Sequence, residues 1–126
     1  MAKSIERYFR LLHVPQRQPV AGQKWSPAAD VYRTRTGWLV KVDLAGVRLD
    51  EIEIEVAGPV LRVRGVRRDA FCQETIAYHQ LEITYSRFEK TLRFPCPIEG
   101  GTIERDYHDG LLILRLRSPE ECGEEQ

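Results

Sequence analysis

The sequence lacks any apolar run near the roughly 18 residues a membrane-spanning helix needs, and its first fifteen residues, MAKSIERYFRLLHVP, lack the apolar block of a secretory signal. Both absences point to a cytoplasmic protein. It has no excess of either charge, with 19 Lys+Arg against 19 Asp+Glu, so the broad attraction on which nonspecific nucleic-acid binders rely is missing. Cysteine is sparse: Cys72, Cys96 and Cys122 are odd in number and form no C-x-x-C pair, which suggests neither a disulfide framework nor a zinc knuckle. Reduced thiols are the expectation, with Cys96 as a small apolar filler within Phe94-Pro95-Cys96-Pro97. His13, His79 and His108 have no motif spacing with each other or with the cysteines, so no catalytic cluster, metal site or cofactor is expected.

What is present is enough for one core. The chain has 126 residues, 42% of them hydrophobic and 30% charged, which fits one domain with short extensions. Its neutrality hides a division, because residues 1–24 carry Lys3, Arg7, Arg10, Arg17 and Lys24 against only Glu6, while Glu120, Glu121, Glu124 and Glu125 crowd the end. Ser4 caps a short predicted helix that places Ile5, Tyr8, Phe9 and Leu12 on one face and Glu6, Arg7 and Arg10 on the other. Pro15, Pro19 and Gly22 then mark a linker that runs to Lys24. The division is an N-terminal arm over 1–24, a domain over 25–117 and a short acidic tail over 118–126.

From Trp25 the period changes to two, and about seven strands follow. The first two are expected over 29–34 and 37–45, with a hairpin turn at Gly37 and with Trp38, Val40, Val42 and Leu44 on one face. Ile52, Ile54 and Val56 alternate with glutamates, and after Gly58-Pro59 the residues Leu61, Val63 and Gly65 alternate with Arg62 and Arg64. A long polar connection from Arg67 leads to a short extended segment, Tyr78-His79-Gln80-Leu81-Glu82, and then to a strand over Phe88–Phe94. Thr102–Tyr107 and Leu111–Leu116 flank Asp109-Gly110, a specific signal for a type I′ hairpin. Leu111, Leu112, Ile113 and Leu114 are apolar in succession, which predicts a strand covered on both sides. The fold class is all-β, an antiparallel sandwich with no helix inside it.

These segments, six of them in order over residues 25–117, resemble the small heat-shock proteins, whose α-crystallin domain is an immunoglobulin-like sandwich. Trp25-Ser26-Pro27-Ala28-Ala29-Asp30-Val31-Tyr32 looks like the family's opening strand, and Val42-Asp43-Leu44-Ala45-Gly46-Val47 like its D-L-P-G-V turn, with Ala45 in place of Pro. The Ile52–Val56 and Leu61–Gly65 pair and Phe88–Pro95 match in turn. Arg105 to Leu112 fits the A-x-x-x-N-G-V-L signature at Gly110 and Leu112 and closely at Asp109 and Leu111, while Arg105 stands where the signature has Ala. The resemblance implies a non-enzymatic, ATP-independent holdase of the stress response that keeps unfolding clients from aggregating. An alternative is a co-chaperone or adaptor domain that binds one folded partner.

The resemblance also implies sites. Clients are expected at Ile5, Tyr8, Phe9 and Leu12, and at a groove built from Ile52, Ile54, Val56 and Ile103. Tyr78, His79, Gln80, Leu81 and Glu82 look like the strand that bacterial and plant members pass to a partner, here expected to meet the partner's edge near Val31 and Arg33 in a homodimer. The family's C-terminal I-x-I motif has no counterpart after Leu116, so dimers or small oligomers are expected.

Overall fold

The computed structural model describes residues 24–69 and 77–119. Eight strands form two four-stranded sheets, packed face to face. The first sheet has the order β1 (Lys24–Trp25), β6 (Arg87–Arg93), β5 (Val60–Val66), β4 (Ile52–Ala57). In the second the order is β2 (Ala29–Arg33), β3 (Gly37–Asp43), β8 (Leu111–Arg117), β7 (Thr102–His108). All neighbours run antiparallel except β1 and β6, which are parallel. The predicted strands are present to within a residue or two at most ends.

Alternation decides which residues meet. Val40 and Val42 of β3, Leu61 and Val63 of β5, Phe88 of β6, and Leu112, Leu114 and Leu116 of β8 point into the space between the sheets and are buried. Phe94 and Ile98, on the connection from β6 to β7, close one end, where the Trp38 and Phe94 rings lie 5.1 Å apart. Each large apolar side chain buried this way contributes on the order of 1.5 to 3 kcal/mol.

Five expectations need correction. Gly37 does not make the turn. It opens β3, the turn is Thr34–Thr36, closed by the Thr34 N–H donating to the Gly37 carbonyl (2.8 Å), and a Cβ on Gly37 would lie 1.9 Å from the Leu116 carbonyl oxygen. The glycine is there to let β8 approach. Lys24, assigned to the linker, belongs to β1, and a single 3₁₀ turn spans Leu49–Glu51 where no helix was expected. The β8 strand is not covered on both sides, for its outer face leaves Leu111 36% exposed and Ile113 half-buried. Cys96 is half-buried and disulfide-bonded where a reduced thiol was expected.

The Asp109-Gly110 expectation fares better. Both residues have positive φ, 53° and 81°, the pair of left-handed conformations that a type I′ turn requires.

Candidate functional site

A sandwich of two open sheets presents free strand edges, each a row of unpaired backbone groups able to accept another strand. Among the described residues they are β4 in the first sheet, and β2 and β7 in the second; β1 covers only Arg87 and Phe88 of β6. The residues singled out from sequence divide among these edges.

Ile52 is 5% exposed and belongs to the core. Ile54 and Val56, also inward-facing on β4, are half-buried against that core. On β7 the inward row consists of Ile103, Arg105 and Tyr107, opposite Leu116, Leu114 and Leu112. Ile103 is nevertheless 37% exposed and Arg105 is exposed, so the sandwich is open along this edge. Tyr107 closes the far end of the row: its hydroxyl donates to the Leu44 carbonyl at 2.6 Å, and burial pushes its pKa above the ordinary tyrosine value. In the signature, Asp109 and Gly110 shape the hairpin, Leu112 is fully buried and Leu111 faces outward. Ile5, Tyr8, Phe9 and Leu12 lie outside the described residues.

The β2 edge carries Val31, 41% exposed, and Arg33, whose guanidinium lies 5.2 Å from the Trp38 ring. The segment Tyr78–Glu82 forms no strand in the lone chain. Within and beside it, Leu81 and Ile83 are 49% and 57% exposed, and the Tyr78 hydroxyl is shielded from water without a hydrogen-bond partner among the described residues. Gln80 and Glu82 bond to each other through their side chains.

Sequence reasoning missed Arg67, the residue that fixes both ends of this long connection. Its guanidinium lies 3.7 Å from the Trp25 ring centroid and 5.7 Å from that of Tyr85. Its Nε and Nη2 donate to the Thr84 carbonyl (2.9 and 2.7 Å), and its Nη1 to the Ala45 carbonyl (3.1 Å). The backbone N–H of Arg67 also donates to the Ser86 carbonyl at 3.0 Å. An arginine just beyond a strand end gives no signal of this, since its three anchors are far apart in sequence.

The outer face of the first sheet is knitted by charge. Lys24 pairs with Glu89 (3.0 Å), Glu89 with Arg62 (3.4 Å), Arg62 with Glu55 (3.5 Å), and Arg64 with both Glu55 and Glu53, the latter at 3.3 Å. Lys24, by hydrogen bond and charge, holds the Glu89 carboxyl below its ordinary pKa, helped by Arg62 and Arg64. Each such exposed pair contributes a few tenths of a kcal/mol at most, so the ladder fixes register more than stability. His108 pairs with Asp109 at 3.1 Å in full solvent. Among the described residues no group of three or more His, Cys, Asp or Glu is gathered to hold a metal, and no helix is long and apolar enough to cross a membrane.

Comparison with known proteins agrees with this architecture. Residues 30–126 match the Hsp20/alpha crystallin family. The chain is 23% identical over 95 residues to the small heat shock protein C2 of Rickettsia felis, covering 75% of this chain and 62% of that protein. It is 30% identical over 128 residues to the 21.9 kDa heat shock protein of Oryza sativa, covering 86% and 62%. Among solved structures, heat shock protein 16.0 from Schizosaccharomyces pombe superposes with a TM-score of 0.69 at 24% identity, over 81% of this chain and 94% of that one. The chain spans between about half and two-thirds of the length of most of the curated relatives it matches. With a two-sheet sandwich, a type I′ signature hairpin and a family match over three-quarters of its length, the chain belongs to the Hsp20/alpha crystallin family, whose members are in general non-enzymatic chaperones.

Proposed function

We propose that this protein is an ATP-independent holdase of the cytoplasm, working as a dimer that exchanges the Tyr78–Glu82 segment. The observation that carries the reading is the coincidence of open edges and unsatisfied apolar side chains. Leu81 and Ile83 are exposed on and beside a segment that forms no strand, and Val31 and Tyr32, 41% and 43% exposed, line an edge that no described strand covers. Pairing the segment of one copy with β2 of another removes both deficits and releases the Tyr78 hydroxyl to find a partner. A reciprocal exchange of this kind reaches the standard area of a specific interface.

Client contact falls to the remaining exposed apolar positions. Ile54, Val56 and Ile103 at the open edges offer a site for an extended apolar segment, and Ile5, Tyr8, Phe9 and Leu12 add a second, amphipathic one. Ile52 contributes by holding β4 in place from the core.

Two unrelated proteins heated with the full chain, without nucleotide, test the reading. Suppressed light scattering for both is expected, and weaker suppression when Tyr8, Phe9 and Leu12 are replaced by Ser. Binding of one folded partner without suppression would replace the holdase reading by an adaptor role. Deleting residues 74–84 is expected to leave monomers by light scattering, and a persistent dimer would refute the exchange.

A further inference from the structure

Cys96 lies on the connection from β6 to β7, half-buried between the exposed Pro95 and Pro97, and its sulfur is disulfide-bonded in the single chain. The sequence offers two other cysteines, Cys72 and Cys122, both outside the described residues. Reach separates them. The connection sits at the end of the sandwich where the Phe94 and Ile98 N–H groups donate to the Pro59 and Gly58 carbonyls, at 2.8 and 2.9 Å. Cys72 departs from the opposite end, for Val66 pairs with Arg87 and the Arg67 N–H donates to the Ser86 carbonyl at 3.0 Å. From Ser86 along β6 to Phe94 is about 26 Å at the rise of an extended strand. The stretch from Arg67 to Cys72 spans at most about 18 Å, and a disulfide adds at most about 7 Å between Cα atoms. Cys72 falls short of Phe94, and Cys96 lies beyond it.

The tail starts from the right end. Pro119 packs on the two glycines of the same connection: a Cβ on Gly100 would lie 3.8 Å from Pro119 Cβ, and one on Gly101 would lie 3.1 Å from Pro119 Cδ. The Gly101 N–H donates to the Ile98 carbonyl at 3.2 Å, which folds the connection and leaves Gly101 at most about 14 Å from Cys96. From Pro119 to Cys122 the chain extends to about 11 Å, and the disulfide span of about 6 Å closes the distance.

We propose that Cys96 is bonded to Cys122, and that the pair is a reversible thiol–disulfide switch on the acidic tail. Closed, it makes a ring of residues 96–122 with the β7–β8 hairpin inside, and keeps Glu120 and Glu121 beside Gly101–Ile103. Ile103, 37% exposed, marks the open mouth of the sandwich there, so the redox state decides whether carboxylates stand at that mouth. Reduction removes the covalent tie. A disulfide in a cytoplasmic protein is in general a transient, redox-responsive one, and the exposed prolines on either side of Cys96 leave this one accessible to small thiols. The oxidant is a small-molecule disulfide such as oxidised glutathione. The Cys122 thiolate attacks one of its sulfurs and expels one small thiolate; the Cys96 thiolate then attacks the Cys122 sulfur of the mixed disulfide and expels the second. Two protein thiols are oxidised, one small disulfide is reduced to two thiols, and these take up the two protons. The inference goes beyond the holdase reading and stands or falls without any client.

The test equilibrates the full chain in glutathione buffers of varied redox ratio, blocks remaining thiols by alkylation and maps tryptic peptides without reductant. Trypsin places the three cysteines in separate peptides, residues 69–87, 94–105 and 118–126. In oxidised buffer the second and third are expected joined, with Cys72 alkylated; in about 5 mM glutathione kept about 100-fold reduced, at least half of the pair is expected open. Cys72→Ser is expected to keep the joined peptides, and Cys122→Ser to lose them. Amide exchange at Ile98, Glu99 and Gly101 is expected to quicken about threefold on reduction of the parent and to ignore redox state in Cys122→Ser. Cys96 joined to Cys72, a disulfide between chains on a denaturing gel, or no disulfide in oxidised buffer would each overturn the assignment. A pair that stays closed in the reduced buffer, or amide exchange unmoved by reduction, would overturn the switch. A failed aggregation assay with the joined peptides intact would reject the holdase reading alone.

Discussion

Replacing Arg67 by Ala removes a contact that joins three parts of the molecule: β1 through the Trp25 ring, the β3–β4 connection through Ala45, and the return of the long loop through Thr84. A hydrogen bond from a charged donor contributes about 1.5 to 3 kcal/mol when well buried. Arg67 is half-buried and two of its bonds share the Thr84 carbonyl. About 1 kcal/mol for that pair, about 0.5 for Ala45 and about 1 for the ring contact give a loss near 2.5 kcal/mol. For a domain of this size that lowers the melting temperature by about 10 °C or more. Scanning calorimetry of Arg67→Ala, Arg67→Met and Arg67→Lys separates the contributions. Met keeps the apolar stem and loses the fork, and Lys keeps the charge but reaches one acceptor, so both are expected to recover less than half of the loss. Limited proteolysis between residues 67 and 86 is expected to quicken in all three. A loss under about 1 kcal/mol for Ala, or a Lys variant indistinguishable from the parent, would refute the clamp.

Gly37→Ala is expected to cost about 3 kcal/mol or more, because a Cβ 1.9 Å from the Leu116 carbonyl forces β3 away from β8; thermal unfolding checks it. Tyr107 has a raised pKa, so the folded state keeps its proton where the unfolded chain, titrating near about 10, has lost it. Stability is then full below about pH 10 and declines above it, and Tyr107→Phe is expected to lessen that decline in urea titrations at rising pH. Glu89 behaves oppositely: its lowered pKa gives stability that is present above the ordinary 4.5 and lost as pH falls through the lower folded value. Glu89→Gln is expected to shallow the acid limb of the same titration, and an unchanged limb would remove Lys24 from the account of β1.

The hairpins were legible in the sequence because their causes are local. Asp109-Gly110 permits two positive φ values, and alternation across Ile52–Val56 and Leu61–Gly65 fixes which side is buried. Gly37 was misread because a glycine signals either a turn or a close approach, and only the neighbouring strand, distant in sequence, decides between them. The two residues of β1 are too few to show a period, and they are held by Glu89, Phe88 and Arg67, all more than 40 residues away. Leu111 and Ile113 were assigned a cover because four apolar residues in succession say that both faces avoid water, without saying what lies on the second. At the site, Ile54, Val56 and Ile103 were identifiable as a stripe, while the core position of Ile52 and the open mouth beside Ile103 depend on how the edges of two sheets end.

The pairing of β3 with β8 has a consequence for synthesis. The residues it joins, from Asp43–Leu111 to Gly37–Arg117, are 68 to 80 positions apart, whereas β4, β5 and β6 are joined by shorter connections. A ribosome extends a chain at about 5 to 20 residues per second, so β3 emerges several seconds before its central partner. During that interval the β4–β5 hairpin has all it needs to form, and Val40 and Val42 of β3 have only β2 beside them. For the first seconds of its existence this chain is thus itself the kind of unfinished polypeptide that a holdase would shield.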